Sequence, residues 1–399
     1  MEKHAQASIE VALGWESSDA THTDRLFLTR VNFERDIFPG SLADPLQRDG
    51  VGAWARESFR PGELLPPQRR DQIHVIRRQQ FRTRLGGGGE IHLGVGRFYP
   101  RGLVEGVADN FPQDRRPCRL LDARGDELVV DFNHPLAQYP LRVEARLLGL
   151  DPVREDRGGR CADIVEEAAS GGPGLQAAMA HRETDFMSGA PWARSDESEE
   201  SVFYQAPRLV DHLDRTALGQ VRDLYARFLR PGMRVLDLMS SWTSHLPADQ
   251  GLQVAGLGMN QEELARNPLL SERVVRDLNR DPSLPFGDAA FDLAVCTVSV
   301  EYLVRPVEVF REVARVLRSG APFVLTFSER WFPPKVVRLW TELHPFELMG
   351  LVLAHFRRAG GYTTLGTESV RGLLRPGDDK YAATTPLSDP VYAVWGMKV

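Results

Sequence analysis

Apolar runs alternate with amphipathic segments through the C-terminal half of the chain, and this alternation restricts the fold more than any other feature of the sequence. The apolar runs are nearly continuous, as in strands covered on both faces, and the segments between them have helical spacing. Strands alternating with helices at such intervals predict an α/β unit with a doubly wound, mainly parallel sheet. The predicted strands are RVLDL (234–238), QVAGLGM (253–259), FDLAVCTVS (291–299), APFVLTF (321–327) and VYAVWGMKV (391–399), and the predicted helices are VRDLYARFL (221–229), QEELARNP (261–268) and VEVFREVARVLRSG (307–320).

The N-terminal half has the period of strands instead. LRVEARLLGL (141–150) alternates apolar and polar residues, and CRLLDARGDELVVDF (118–132) reads as a strand, a turn and a second strand. QIHVIRRQQFRT (72–83) is a further predicted strand, and the glycines of LGGGGE (85–90) predict a flexible tip between extended segments. Residues 1–150 are therefore predicted to form a mainly β domain.

A polar region separates the two halves. Residues 151–207 contain ASGGPG (169–174) and the acidic, serine-rich ARSDESEES (193–201), which predict an extended connector. Short helices are predicted within it at ADIVEEA (162–168) and LQAAMAHRE (175–183). The α/β domain then occupies 208–399.

Charge and cysteine content favour a soluble cytoplasmic protein. The net charge of −6 argues against nucleic acid or an anionic membrane as the main partner, and no run of 18 apolar residues occurs. The three cysteines, Cys118, Cys161 and Cys296, are far apart and show no metal-binding spacing, so no metal is expected. Cys296 lies within an apolar strand, where we expect a buried small hydrophobe rather than a nucleophile.

Three stretches of the C-terminal half resemble class I S-adenosylmethionine-dependent methyltransferases. They are RVLDL, then LPFGDAAFD (284–292) before a buried strand, then REVARVLRSG (311–320) before the next one. VLDLMSSWTSHLP (235–247), GLGMNQEELARNP (256–268) and RWFPPK (330–335) are similar to a narrower subgroup of methyltransferase-like proteins. The resemblance covers about 208–399 and implies a Rossmann-like fold, S-adenosylmethionine as cofactor and methyl transfer to a small-molecule or protein acceptor.

Two of the cofactor-binding elements that this resemblance implies are altered. Met239, Ser241 and Thr243 stand where the family has three glycines, and Gly258 stands where a carboxylate binds the ribose. The remaining cofactor contacts implied are Asp237, Ser240, Ser241, Asn260, Asp277 and Leu278. Ser240 and Ser241 are also expected to cap a following helix. Trp242 is either a core residue or a pocket wall. The two interpretations left open are a modified cofactor site and a structural turn in an inactive domain.

The segment after the fifth predicted strand, 327–361, carries the candidates for acceptor binding and catalysis. Arg330, Trp331 and Phe332 are predicted to bind the substrate, the cation by pairing an anionic group and the rings by shaping a slot. His344, Glu347 and Lys335 are the catalytic candidates, with His344 or Glu347 as a base. The alternative is that 336–356 forms a helix pair whose aromatic residues belong to the core.

Residues 127–150 resemble the last hairpin and strand of bacterial FKBP-type prolyl isomerases of the SlyD-like kind. The matching residues are Asp131, Asn133, His134, Pro135, Leu136 and Ala137. The resemblance implies an FKBP-like domain, with Phe38 and Phe98 or Tyr99 as walls of an apolar cleft and with Asn133 and His134 organising a tight turn. It leaves open two alternatives to methyl transfer. One is a prolyl isomerase or chaperone for proline-containing peptides with a degenerate methyltransferase-like domain, and the other is an interaction scaffold without activity.

Overall fold

The computed structural model describes residues 6–84, 90–151 and 160–399, which form two compact units. The first comprises the described residues up to Pro191 together with Glu342–Gly350, and the second comprises Trp192–Thr341 and Leu351–Val399. The region predicted as a separate connector is therefore divided, since 160–191 belong to the first unit and 192–207 to the second. The glycine tip at 85–89 lies outside the described residues.

The first unit contains a four-stranded antiparallel sheet in the order β2-β1-β8-β3. Its strands are β1 (Gln6–Glu16), β2 (Ala20–Val31), β3 (Trp54–Phe59) and β8 (Leu141–Asp151). The predicted alternation in β8 is confirmed, because Leu141, Val143, Ala145 and Leu147 are buried and their neighbours are not. The helices α1 (Ala43–Asp49) and α2 (Ile164–Ala169) complete this part.

A second antiparallel sheet of the same unit has the order β4-β7-β6-β5. Its strands are β4 (Ile73–Arg77), β5 (Phe98–Pro100), β6 (Pro117–Arg124) and β7 (Glu127–Asp131). The predicted strand-turn-strand is confirmed, with Gly125 taking the positive φ of 60° that the turn between β6 and β7 requires. The helix predicted at 162–168 is confirmed as α2, which Asp163 caps, whereas the one predicted at 175–183 is wrong: these residues form turns around a Met179–Arg182 bridge.

The second unit is built on a seven-stranded mixed sheet in the order β11-β10-β9-β12-β13-β15-β14. The first five strands are parallel, and β15 is antiparallel to both of its neighbours, β13 and β14, so that β14 runs in the direction of the first five; the predicted mainly parallel sheet is confirmed. Its strands are β9 (Arg234–Leu238), β10 (Gln253–Gly258), β11 (Leu270–Val275), β12 (Leu293–Thr297), β13 (Pro322–Phe327), β14 (Tyr362–Arg371) and β15 (Val391–Lys398).

The helices of the second half begin where the sequence provides a cap or a proline. Asp214 caps α4 (Arg215–Ala226), Asn260 caps α5 (Gln261–Arg266), and Pro306 opens α6 (Pro306–Val316). Three further helices are α3 (Glu200–Phe203), α7 (Arg338–Glu342) and α8 (Pro345–Ala359). The last two confirm the predicted helix pair, with Trp340, Phe346 and Phe356 buried.

Cys296 is completely buried in β12, and burial raises the pKa of its thiol well above the usual range, as expected of a small core residue. Within the described ranges, every helix is too short or too polar to cross a bilayer.

Candidate functional site

A pocket of about 130 Å³ opens in the second unit where the parallel strands end. Its lining comes from the residues that directly follow β9, β10, β11 and β12, and from a covering segment, 200–213, that precedes α4. Open α/β sheets bind their ligands at this edge, outside the carboxyl ends of the strands. The pocket therefore lies where the sequence placed the cofactor site.

The turn after β9 differs from the prediction in its secondary structure. Residues 239–247 contain no helix, so Ser240 and Ser241 cap none. The Ser240 hydroxyl instead donates to Oδ2 of Asp237 (2.6 Å), and the Ser241 hydroxyl donates to Oε2 of Glu263 (2.7 Å). Both serines line the pocket. Their hydroxyl groups orient carboxylates and do not cap a helix.

Asp237 lies beneath this turn and is almost fully buried. Burial raises the pKa of its carboxyl group to about 7, against the opposing effect of the hydroxyls of Ser240 and Ser244. No cation is among the groups that shift it. The prediction that Asp237 faces the site is supported by its place in the pocket lining.

Strand β10 ends at a glycine because the turn from β9 passes directly over it. A Cβ atom at position 258 would overlap the carbonyl oxygen of Ser240, whose N–H donates to the carbonyl of Leu257 (2.7 Å). A carboxylate side chain at this position is therefore excluded by the backbone itself. The absence of a carboxylate at position 258 and the path of the turn after β9 therefore have the same structural cause.

A carboxylate nevertheless enters the same part of the pocket from α5. Glu263 is 8% exposed and lines the pocket. Its Oε1 accepts from the backbone N–H of Arg208 (2.7 Å), while Oε2 accepts from the hydroxyl of Ser241. Since a carboxylate has about four acceptor positions, Glu263 retains capacity for a ligand's hydroxyl groups.

Asn260 does not serve as predicted. It is not among the described residues that line the pocket, and both ends of its amide are used elsewhere. Oδ1 accepts from the N–H groups of Glu262 and Glu263 as the cap of α5, and Nδ2 donates to the carbonyls of Tyr204 and Gln205 (2.9 and 3.1 Å). Its role is to fix the start of α5, and with it Glu263, against the covering segment.

Asp277 and Leu278, two of the predicted cofactor contacts, follow β11 and both line the pocket. Oδ1 of Asp277 accepts from the N–H of Asn279 (2.9 Å) and of Arg280 (3.2 Å), which closes a tight turn. Leu278 is buried and supplies an apolar contact next to this carboxylate.

The covering segment adds an aromatic wall and a cation. The guanidinium of Arg208 lies 4.5 Å from the ring of Phe203, 5.6 Å from Tyr204 and 5.1 Å from Phe332. Its Nη2 donates to the carbonyl of Phe203, whereas Nη1 is buried without a hydrogen-bond acceptor among the described residues. An unpaired buried donor of this kind favours an anionic ligand group.

Trp242 joins the turn to this segment, since its Nε1–H donates to the carbonyl of Val210 (3.1 Å). The residue lines the pocket and is partly exposed, so of the two alternatives for Trp242 the structure favours a wall.

Three of the eight non-glycine residues with positive φ in the described ranges line the pocket. Met239, His245 and Val298 have positive φ values of 58°, 54° and 46°, and all three line it. A positive φ is costly for residues with a Cβ, and for β-branched valine above all. Such strain persists where the surrounding structure fixes a backbone shape that a ligand site needs. Met239 thus keeps the left-handed conformation that a glycine would adopt at lower cost.

Only one of the three predicted substrate-binding residues lies in the pocket lining. Phe332 lines it and is stacked against Tyr302 (5.8 Å between centroids, 26°). Arg330 and Trp331 are not among the described residues that do so. Arg330 lies 3.7 Å from a carboxylate oxygen of Asp389 and 5.1 Å from the ring of Tyr381.

The three catalytic candidates also lie outside the pocket lining. Lys335 is fully buried, and its Nζ donates to the carbonyl of Ser198 (2.6 Å) and lies 3.4 Å from Oδ2 of Asp196, so it holds the 196–198 segment in place. Its ammonium is therefore satisfied by these groups and does not line the pocket.

His344 and Glu347 belong to the first unit and not to the one that contains the pocket. Nδ1 of His344 accepts from the N–H of Phe346, and Oε1 of Glu347 accepts from the N–H of Phe98 (3.0 Å) and lies 3.9 Å from Nε of Arg97. Burial raises the pKa of the Glu347 carboxyl, and Arg97 opposes that shift. Both side chains are used in packing within the first unit.

The N-terminal candidates organise structure in the same way. Asn133 exchanges two hydrogen bonds with the backbone of Arg69, and Nδ1 of His134 accepts from the N–H of Leu136, which supports their predicted role in a turn. Tyr99 is buried in a core, where its hydroxyl accepts from Gly94 and donates to His92. Phe98 lies under the guanidinium of Arg119, and Phe38 stacks on Phe33.

Comparison with known proteins finds methyltransferases similar to the part of the chain that contains the pocket. Residues 240–325 match the family described as "Methyltransferase domain". A stretch of 102 residues is 29% identical to norajmaline N-methyltransferase from Rauvolfia serpentina, covering 24% of this chain and 35% of that protein. The chain therefore spans about a third of the length of the curated relative that it matches.

Part of the chain is also similar to solved structures, at low identity and with low TM-scores. An S-adenosylmethionine-dependent methyltransferase from Aquifex aeolicus is 17% identical with a TM-score of 0.31, covering 47% of this chain and 92% of that one. A second, from Methanosarcina mazei, is 16% identical with a TM-score of 0.30, covering 44% of this chain and 97% of its own. The match of residues 240–325 to a methyltransferase domain supports S-adenosylmethionine as the cofactor of the second unit. These matches leave the FKBP resemblance of the first unit as a prediction.

Proposed function

We propose that the second unit binds S-adenosylmethionine in the pocket at the strand ends and transfers its methyl group to a small-molecule acceptor. The observation that carries this proposal is the buried carboxylate of Glu263, which occupies the pocket beside a glycine that excludes the usual one. In an inactive domain, nothing would require the Glu263 carboxylate to be buried in the pocket and oriented by the Ser241 hydroxyl.

The residues present suit the three parts of the cofactor. Glu263 would accept from the ribose hydroxyls, and Asp277 with Leu278 would meet the adenine. Because the turn at 239–247 contains no helix, the unpaired Nη1 of Arg208 would take the place of helix amides in binding the carboxylate. Ser240 and Ser241 contribute indirectly by holding Asp237 and Glu263.

The bound cofactor supplies an electrophilic methyl group on a sulfonium, so the protein needs mainly to position the two reactants. The turn that Trp242 ties to Val210 and the covering segment exclude water from the reacting groups. Tyr204, Tyr302 and Phe332 shape the remaining space for an acceptor of modest size.

Calorimetric titration of the full-length protein with S-adenosylhomocysteine tests the proposal. We expect micromolar binding, weakened at least tenfold in Glu263→Gln, since a neutral amide is a poorer acceptor for two hydroxyls. Glu262→Gln is the matched control: the adjacent glutamate belongs to the same helical turn but is exposed and pairs with Arg266. Absence of binding at millimolar ligand, or equal affinity in both variants, would refute the assigned site.

A further inference from the structure

Two histidines that the sequence did not single out line the pocket. His212 belongs to the covering segment, and His245 to the turn after β9. Neither imidazole makes a hydrogen bond to another residue in the described ranges. Their ring nitrogens are therefore available to a ligand, unlike those of His344.

His212 lies at the aromatic wall. Its ring meets Phe332 edge to face at 5.1 Å and 84°, and Phe332 in turn stacks on Tyr302. Phe332 and Tyr302 follow β13 and β12, whereas the carboxylates assigned to the cofactor follow β10 and β11. His212 thus lies on the Phe332 side of the pocket, next to Arg208.

The charges around His212 suit a proton acceptor. Burial lowers the pKa of its imidazole most, Arg208 and Arg330 lower it further, and Glu263 and Asp211 raise it. His245 also faces it, with its own pKa lowered by burial to about 4. The ring is consequently neutral at neutral pH with a free lone pair, and the two carboxylates stabilise the imidazolium once a proton arrives.

The lining of the pocket favours a cationic acceptor. Acidic side chains outnumber basic ones in it, and they are Glu200, Asp211, Asp237, Glu263 and Asp277 against Arg208 and Arg276. Glu263 and Asp277 are those assigned to the cofactor and Glu200 pairs with Arg194, which leaves Asp211 and Asp237 unassigned. Aromatic faces attract cations, and the contact of the Arg208 guanidinium with Phe332 shows that this wall does so. An amine, which is an ammonium ion at neutral pH, fits both features.

We propose that the methyl acceptor is an amine and that His212 receives its proton. The inference rests on the proposed function. The ammonium first loses one proton to a ring nitrogen of His212, which frees the lone pair of its nitrogen. That nitrogen then forms a bond to the methyl carbon while the carbon–sulfur bond breaks, and the sulfur keeps the electron pair of that bond. His212 passes its proton to water, the product leaves as the methylated ammonium, and no further reactant is required.

The experiment separates this proposal from the one on which it rests. S-adenosylhomocysteine binding is measured first by calorimetry on the wild type and on His212→Gln, His245→Gln and His181→Gln, the last being a solvent-exposed control. 2-Phenylethylamine, its N-methyl derivative and the matched alcohol 2-phenylethanol are then titrated into the protein saturated with S-adenosylhomocysteine. Methyl transfer to the same probes is followed from pH 6 to 9.

We expect all four proteins to bind S-adenosylhomocysteine within about twofold of one another, and the amines to bind where the alcohol does not. Turnover of the amines should fall by about 10²–10⁴-fold in His212→Gln and respond little to His181→Gln. Added imidazole should restore part of the activity of His212→Ala, which a purely structural role would not allow.

Three results would overturn the inference. They are a His212→Gln protein with the wild-type rate and pH profile, methylation of the alcohol but not of the amines, and a wild type that binds S-adenosylhomocysteine yet methylates neither amine. Failure to bind S-adenosylhomocysteine at all would instead refute the proposed function, and with it the basis of this inference.

Discussion

The turn after β9 and the segment after β13 both contain several polar and charged side chains, but those side chains differ in whether their hydrogen-bond partners belong to the pocket. In the turn, Ser240 and Ser241 orient carboxylates that line the pocket. In the segment after β13, Lys335 and Glu347 interact with backbone groups and opposite charges outside the pocket. Residue type is therefore a poor guide to function until the hydrogen-bond partners of each side chain are known.

The two regions also treat backbone strain differently. The turn places Met239 and His245 at positive φ, and neither position carries the glycine that would relieve the cost. The segment from Glu329 to Glu347 has no positive-φ residue. Strain together with pocket lining distinguishes the turn from the segment, where Phe332 lines the pocket but Arg330, Trp331 and Lys335 do not.

The largest expected effect comes from restoring at position 258 the carboxylate that the methyltransferase resemblance implies there. Gly258→Asp should abolish S-adenosylhomocysteine binding and destabilise the protein by about 3 kcal/mol or more, since the Cβ overlaps the Ser240 carbonyl and the new charge is buried beside it. Urea unfolding and calorimetry measure the two effects. Gly287→Asp is the control because a Cβ there meets nothing within 4 Å. Tighter binding by Gly258→Asp would show that the turn can reopen.

A smaller effect is expected in the segment, on stability alone. Glu347→Ala leaves the buried Arg97 and the N–H of Phe98 without this carboxylate, and should cost about 3 kcal/mol of unfolding free energy. Affinity of the folded protein for S-adenosylhomocysteine should not change, because Glu347 is absent from the pocket lining. Glu342→Ala, which removes a more exposed partner of Arg97, should cost less than 1 kcal/mol. A selective loss of ligand affinity in Glu347→Ala would contradict this prediction and show that Glu347 contributes to ligand binding.

The sequence predicted those strands of the second unit that are apolar along their length. Two others were missed because their residues lack that pattern. In β11 only Leu270 is buried and most other side chains are exposed, as on a sheet edge, and β14 begins with the polar, partly exposed Tyr362–Thr364. The hydrophobic periodicity of a sequence reflects which side chains are buried, so it does not identify a strand that is half exposed to solvent.

For the site, sequence reasoning located the strand ends but not the side chains that replace the usual ones. Glu263 was read as part of an ordinary helix, although its place beside the buried Leu264 was a signal that the first turn of α5 faces inward. His212 and Arg208 precede the first strand of the sheet and reach the pocket only through the path of the covering segment. Such contacts between residues distant in sequence have no local signature.

The smallest effect tests whether the strain in the turn is necessary. Met239→Gly and Met239→Ala remove nearly the same side-chain packing, but only glycine adopts a φ of 58° without cost, so the glycine variant should be more stable than the alanine variant by about 1 kcal/mol. Thr364→Gly against Thr364→Ala is the matched comparison at an exposed position with φ of 50° outside the pocket. If the turn is shaped for the cofactor, the glycine variant at 239 should bind S-adenosylhomocysteine several-fold more weakly despite its stability, because its backbone is freer to leave the binding conformation. Equal affinity for glycine and alanine at 239, with the stability difference intact, would mean that the strain serves folding of the turn and not the ligand, and the contrast between the turn and the segment would then rest on the carboxylates alone.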